Sequence, residues 1–155
     1  MTDAVEASAL AISGRVDLAG IAIENAMANQ RDAETAVSAA LRNRDTDRLV
    51  EAGARLQAAQ DGVRVAWQAG TDILRHARAV RELAILMRSE QVRYELAPPG
   101  EAKAGAAFAV ARLAADADAR LRTVESLTLE LKRRWLLPLP STGEGSANDR
   151  AGAVQ

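Results

Sequence analysis

The sequence predicts an all-α protein: a long antiparallel helical hairpin of coiled-coil type, with a third, C-terminal helix completing a three-helix bundle. Three observations predict it. Apolar residues recur at alternating steps of four and three over two long stretches, the spacing that keeps one helix face against another helix. The apolar 48 % of the chain includes only four aromatic residues, Trp67, Tyr94, Phe108 and Trp135. Alanine and leucine dominate the rest, which suits closely packed helices. The four prolines, at 98, 99, 138 and 140, stand at the ends of the periodic stretches and not inside them.

The first helix is expected from about Thr2 to Arg44. Val5, Ala9, Ile12, Val16, Ala19, Ile23, Ala26, Gln30, Ala33, Val37 and Ala40 follow one another along one seam. Leu10, Leu18, Ile21 and Met27 broaden that face, which predicts more than one neighbouring helix. Gly14 and Gly20 mark either a bend or a close approach of another backbone. A turn follows at Asn43–Asp47, with Asp45 or Thr46 placed to cap the next helix. The alternative, one uninterrupted helix of roughly 90 residues, would bury little of its apolar face.

The second helix is expected over 47–96, about 75 Å long at the usual rise. Its predicted seam is Leu49, Gly53, Leu56, Gln60, Val63, Trp67, Gly70, Leu74, Ala77, Arg81 and Ala84, flanked by Ile73, Val80, Leu83 and Met87. Trp67 then reads as a core or hairpin-interface anchor, and Gly62 or Gly70 as the site of a kink. Ala97-Pro98-Pro99-Gly100 ends this helix, because proline lacks the helical N–H and restrains its predecessor. The third helix is expected over 101–136, with Val110, Leu113, Ala117, Leu121, Val124, Thr128, Leu131 and Trp135 on its buried face. Residues 1–140 thus read as one domain, and 141–155, small, polar and glycine-bearing, as a disordered tail.

Composition excludes more than it assigns. The chain has no cysteine, which removes disulfides, thiol catalysis and thiolate metal sites. Its charges nearly cancel, at net -1, so no global field draws it to nucleic acid or an anionic membrane. No stretch approaches the ~20 apolar residues of a membrane span. The acidic start, Met1 to Glu6, lacks the basic and apolar regions of a secretory signal, and a cytoplasmic location is expected.

Catalytic signals are correspondingly sparse. His76 is the sole histidine and cannot build a metal site alone. A phosphorelay role would need a phosphotransfer motif, which Leu74-Arg75-His76-Ala77-Arg78 does not supply, so a surface or boundary histidine is expected. Asp45/Asp47 and Asp116/Asp118 are two residues apart, a spacing that points helical side chains away from each other. They read as capping and as solvated charge, not as an acid–base pair. No glycine-rich phosphate loop and no nucleophile elbow appears. Lys132-Arg133-Arg134 complements the carbonyl end of the third helix. No catalytic residue, cofactor or metal is expected.

The most hydrophobic stretch is the C-terminal end: Leu127, Leu129, Leu131, Trp135 and Leu136, with Leu137 and Leu139 beyond. It either closes the bundle or offers apolar surface to a partner. The functional expectation is non-catalytic protein binding, with a partner's amphipathic helix buried against these residues. A self-associating coiled-coil component of a secretion or phage assembly is the alternative, and a homo-oligomer fits either.

Residues 34–60 add a resemblance. Glu34, the Ala40-Leu41 pair, Asp45, and then Leu49 and Leu56 on the returning helix resemble FlgN-type flagellar export chaperones. That family implies a cytoplasmic helical hairpin or bundle that holds unassembled hook–filament junction subunits through an apolar C-terminal region. The chain departs from it in its long first two helices and in lacking an Asn-rich stretch in the third.

Overall fold

The computed structural model describes residues 2–136. They form α1 (Thr2–Arg42), α2 (Thr46–Leu96), α3 (Glu101–Leu131) and a closing π-helical turn, Lys132–Leu136, with no strand among the described residues. The all-α three-helix architecture is therefore present. The third helix is α-helical only to Leu131: Lys132 N–H reaches both the Leu129 and the Thr128 carbonyl, and the winding widens beyond it. The predicted tail 141–155, and Leu137, Pro138, Leu139 and Pro140, lie outside the described residues.

The first turn is real and tight. Asp45 N–H donates to the Ala40 carbonyl (3.1 Å) and Arg44 N–H to the Leu41 carbonyl (3.2 Å), the paired closure of a helix C-terminus. Arg44 takes the left-handed conformation at the centre, with φ 52°. Asp45 then begins α2, its Oδ1 accepting from Arg48 N–H at 3.1 Å. Of the two candidate caps, aspartate serves. At the second turn Ala97 is extended before Pro98, and Gly100 adopts φ 135°, a region closed to residues with a side chain.

The helices pack antiparallel in chain order, so α3 runs parallel to α1. Arg15 Nη2 meets Glu125 Oε1 at 3.3 Å, and Asn25 Nδ2 donates to the Trp135 carbonyl at 3.0 Å; both pairs are 110 residues apart. That offset sets the register. Leu136 comes level with Ala26, and α1 and α2 continue past it as a two-helix end over 27–61. Only the middle of the molecule is three helices thick.

The core is unusually small in its side chains. Ala19, Ala22, Ala26, Ala66, Ala69, Ile73, Val124 and Leu131 make one buried cluster, and Ile12, Ala77 and Val80 a second. The α1 seam is buried as predicted at Ile12, Ala19, Ala26, Ala33 and Ala40. The α2 seam is not. The buried residues of α2 are Ala52, Gly62, Ala66, Ala69, Ile73, Ala77, Val80, Leu83 and Met87: the predicted flank, joined by Ala77 and further small residues. Trp67 is 54 % exposed and no core anchor. The reason is packing density. Small residues on α2 let α3 lower its large ones, Leu131 and Trp135, close to the helix axis, and a dense core favours that pairing.

The glycines follow the same logic. A β-carbon on Gly62 would sit 3.6 Å from Trp135 Cζ2, and one on Gly70 3.0 Å from Ile23 Cδ1. Gly70 thus marks a close approach and Gly62 an ordinary contact, and α2 runs as one continuous helix through both. Among the described residues, nothing lies within 4 Å of a β-carbon built on Gly14 or Gly20.

Candidate functional site

The C-terminal leucines are placed mainly by the core. Leu131 is buried, and Leu127, Trp135 and Leu136 pack half-buried against the larger cluster. Trp135 is held from two sides: its ring lies over Gly62, and its carbonyl accepts from Asn25. The Arg134 guanidinium stacks on the same ring at 4.8 Å. Leu129 alone is exposed, beside a shallow depression shared with Ser126, Glu130, Arg133 and Arg134. Leu127, Leu129, Leu131, Trp135 and Leu136 therefore do not form one open surface. Four of them close the bundle, because they fall on the face that α3 turns to α1 and α2.

The polar candidates have structural surroundings. Asp45 caps α2 and Asp47 lies in its first turn. Asp116 and Asp118 each pair one turn along α3, with Arg120 at 3.3 Å and Arg122 at 2.9 Å. His76 is half-buried on α2, with Nδ1 shielded and unpartnered. Among the described residues no group of three or more His, Asp or Glu is placed to hold a metal. No helix among them is long and apolar enough to cross a membrane.

Among the described residues, hollows lie between helices. One, of about 340 Å³, runs between Ala36, Ala39 and Ala40 of α1 and Ala52 of α2, rimmed by Asn43, Arg48, Glu51 and Arg55. It continues the channel that α3 fills further along, but its rim is polar. Another, of about 300 Å³, lies between Leu86 and Glu90 of α2 and Phe108, Ala109, Arg112 and Leu113 of α3. Leu86 and Phe108 are exposed there.

A further apolar feature lies elsewhere, on the side of the hairpin turned away from α3. Around α2, Trp67 stands about 140° from Gly62, which meets α3, and Leu74 falls in line with Trp67. Leu49, Leu56, Val63, Trp67, Gly70 and Leu74 make a stripe without a charge, and Ile23, Met27, Val37 and Leu41 of α1 run beside it. Trp67, Leu74, Met27 and Leu41 are exposed; Ile23, Val37, Leu49, Leu56 and Val63 are half-buried. The residues predicted as the second seam thus do form an apolar face; Ile23 and Val63 pack at its inner edge against the core, while Trp67, Leu74, Met27 and Leu41 stay open to solvent. The signal was present in the sequence: α2 carries two apolar stripes, which is one more than a hairpin interface alone requires.

The residues behind the family resemblance have turn and packing roles here. Ala40 is buried, Asp45 caps, Leu49 and Leu56 are half-buried, and Glu34 accepts from Gln30 Nε2 at 2.9 Å. No protein-family model matches the chain, and neither a curated protein nor a solved structure is significantly similar to it.

Proposed function

We propose that this chain is a non-catalytic protein-binding helical protein, and that it binds through the apolar face centred on Trp67. The observation that carries the reading is the uncovered stripe from Leu49 to Leu74, with Trp67 54 % exposed at its middle. Soluble proteins seldom leave a contiguous apolar face of this size uncovered unless something binds it. In its most concrete form the protein is a cytoplasmic export chaperone that shields an amphipathic helix of an unassembled subunit, as the resemblance of residues 34–60 suggests. The leucine-rich end of α3 then supports the binding face from behind, and Leu129, its exposed member, lies off that face.

The test is affinity capture from cells of the source organism with the parent chain and with Trp67→Glu. The expected result is a co-purifying protein that the variant loses while it keeps its helicity. Equal recovery by both chains would reject this face as the binding site.

A second reading is favoured by the lengths of α1 and α2, 41 and 51 residues. Such helices suit a self-associating coiled-coil component of a secretion or phage assembly. An open assembly grows with concentration, whereas a chaperone stops at a small fixed species; light scattering across a dilution series separates them.

A further inference from the structure

We propose that the apolar face is covered, in the protein on its own, by the same face of a second copy, giving a closed two-fold dimer. The inference rests on the protein-binding reading of this face and names what occupies it in the absence of other partners.

Area is the first argument. Leu49 to Leu74 spans about 38 Å at the rise of an α-helix. Two helices packed side by side are about 20 Å wide. The face is then on the order of 750 Å², close to the ~800 Å² per partner of a stable protein interface. A single incoming helix would cover about half of it. A second hairpin of identical length and width covers all of it.

Charge is the second argument. Within the stripe itself α2 contributes no ionised side chain from Leu49 to Leu74, and α1 contributes Glu34, which accepts from Gln30; Arg64, paired with Asp61 at 3.0 Å, and Arg31 border it. Two copies then meet along an uncharged stripe, with the arginines left at the solvated rim. The alternative seat, the alanine-floored hollow near Ala40, is rimmed by Arg48, Glu51 and Arg55 and suits solvent better.

The third argument comes from Gly20 and Gly53. Each interior helical glycine costs about 1 kcal/mol relative to alanine. Among the described residues, nothing lies within 4 Å of a β-carbon built on either. Both fall on the apolar face at the spacing of Met27 and Trp67. Glycines there lower the surface and let another backbone come close, which a face open to water does not need.

A two-fold pairing of identical faces closes on itself and leaves no further surface for growth. It therefore accompanies the chaperone reading better than the filament one: the dimer keeps the face dry until another partner displaces a copy.

Sedimentation equilibrium of the full chain from about 1 to 100 μM tests the proposal, alongside Trp67→Glu and, as a control off the face, Leu129→Glu. The expected result is a dimer for the parent and for Leu129→Glu. Trp67→Glu should weaken association at least about 30-fold, the effect of removing a central aromatic anchor. If Trp67→Glu loses helicity, Leu74→Glu, nearer the edge of the stripe, takes its place. A parent that stays monomeric at 100 μM overturns the dimer, as does a dimer indifferent to both substitutions. Partner capture that still depends on Trp67 in a monomeric parent would overturn the second copy alone. Loss of both effects would overturn the protein-binding reading as well.

Discussion

Arg44 sits where helices usually place glycine. With φ 52° it carries a β-carbon in the left-handed region, and the two closing hydrogen bonds from Arg44 and Asp45 hold it there. Arg44→Gly should therefore stabilise the fold by about 0.5–1 kcal/mol, read as a rise in the thermal midpoint of a few degrees; no rise would mean the turn relaxes in solution. Asp45→Ala should do the reverse and cost about 1 kcal/mol, since it removes the acceptor for Arg48 N–H. The core inverts an ordinary expectation about size. Ala22 is fully buried and Leu10 is 77 % exposed. Ala22→Leu should destabilise by about 1–3 kcal/mol through overpacking, whereas Leu10→Ala should change stability by less than about 0.5 kcal/mol. Chemical denaturation of both variants checks the pair, and a tolerated leucine at position 22 would contradict the close helix approach described above.

At the scale of the element, α2 shows both what was readable in the sequence and what was not. Its start, its end and its helical nature follow from Asp45, from Pro98 and from a regular apolar spacing. Which of its two stripes faces inward does not follow from spacing, since both repeat every seven residues. Trp67 and Leu74 outweigh Gly62, Ala66 and Ala69 in hydrophobicity, so transfer energy alone favours the wrong stripe. Fit decides it: the Trp135 ring packs over the small residue Gly62, and that pairing lies 73 residues away in the chain, beyond any local pattern. The same argument explains Leu131, which reads as a binding residue by hydrophobicity and is buried by register. The open glycines supply a prediction at this scale. Gly20→Ala and Gly53→Ala have room for the added methyl, so each should strengthen its own helix by about 1 kcal/mol. If a second backbone approaches there, both should also weaken self-association. Thermal melts at low and high protein concentration separate the two effects; a rise at both would place the glycines outside the interface.

The whole molecule is built around α2, with α1 and α3 laid along it in staggered register. Over residues 27–61 it is two helices thick, and its buried side chains there are small: Ala33, Ala40 and Ala52. In the middle, α3 adds Val124, Leu131 and half of Trp135 to the same hairpin. Apolar burial scales with the area removed from water, so local stability must follow this thickness. Hydrogen exchange should show amides at 30–40 and 48–58 opening sooner than those at 15–24 and 64–80, although all belong to the same two helices. Uniform protection along α1 and α2 would imply that the thin end is covered too. Truncation after Leu121 extends the argument. It removes Val124, Thr128, Leu131 and Trp135 together and strips the middle of α1 and α2 of its third wall. The truncated chain should lose the protection difference between middle and end, expose apolar surface to a reporter dye, and melt well below the parent. Its loss of partner capture would then say little about the C-terminal leucines themselves. For that reason the single exposed side chain of Trp67, whose replacement leaves the buried clusters intact, is the sharper probe of function.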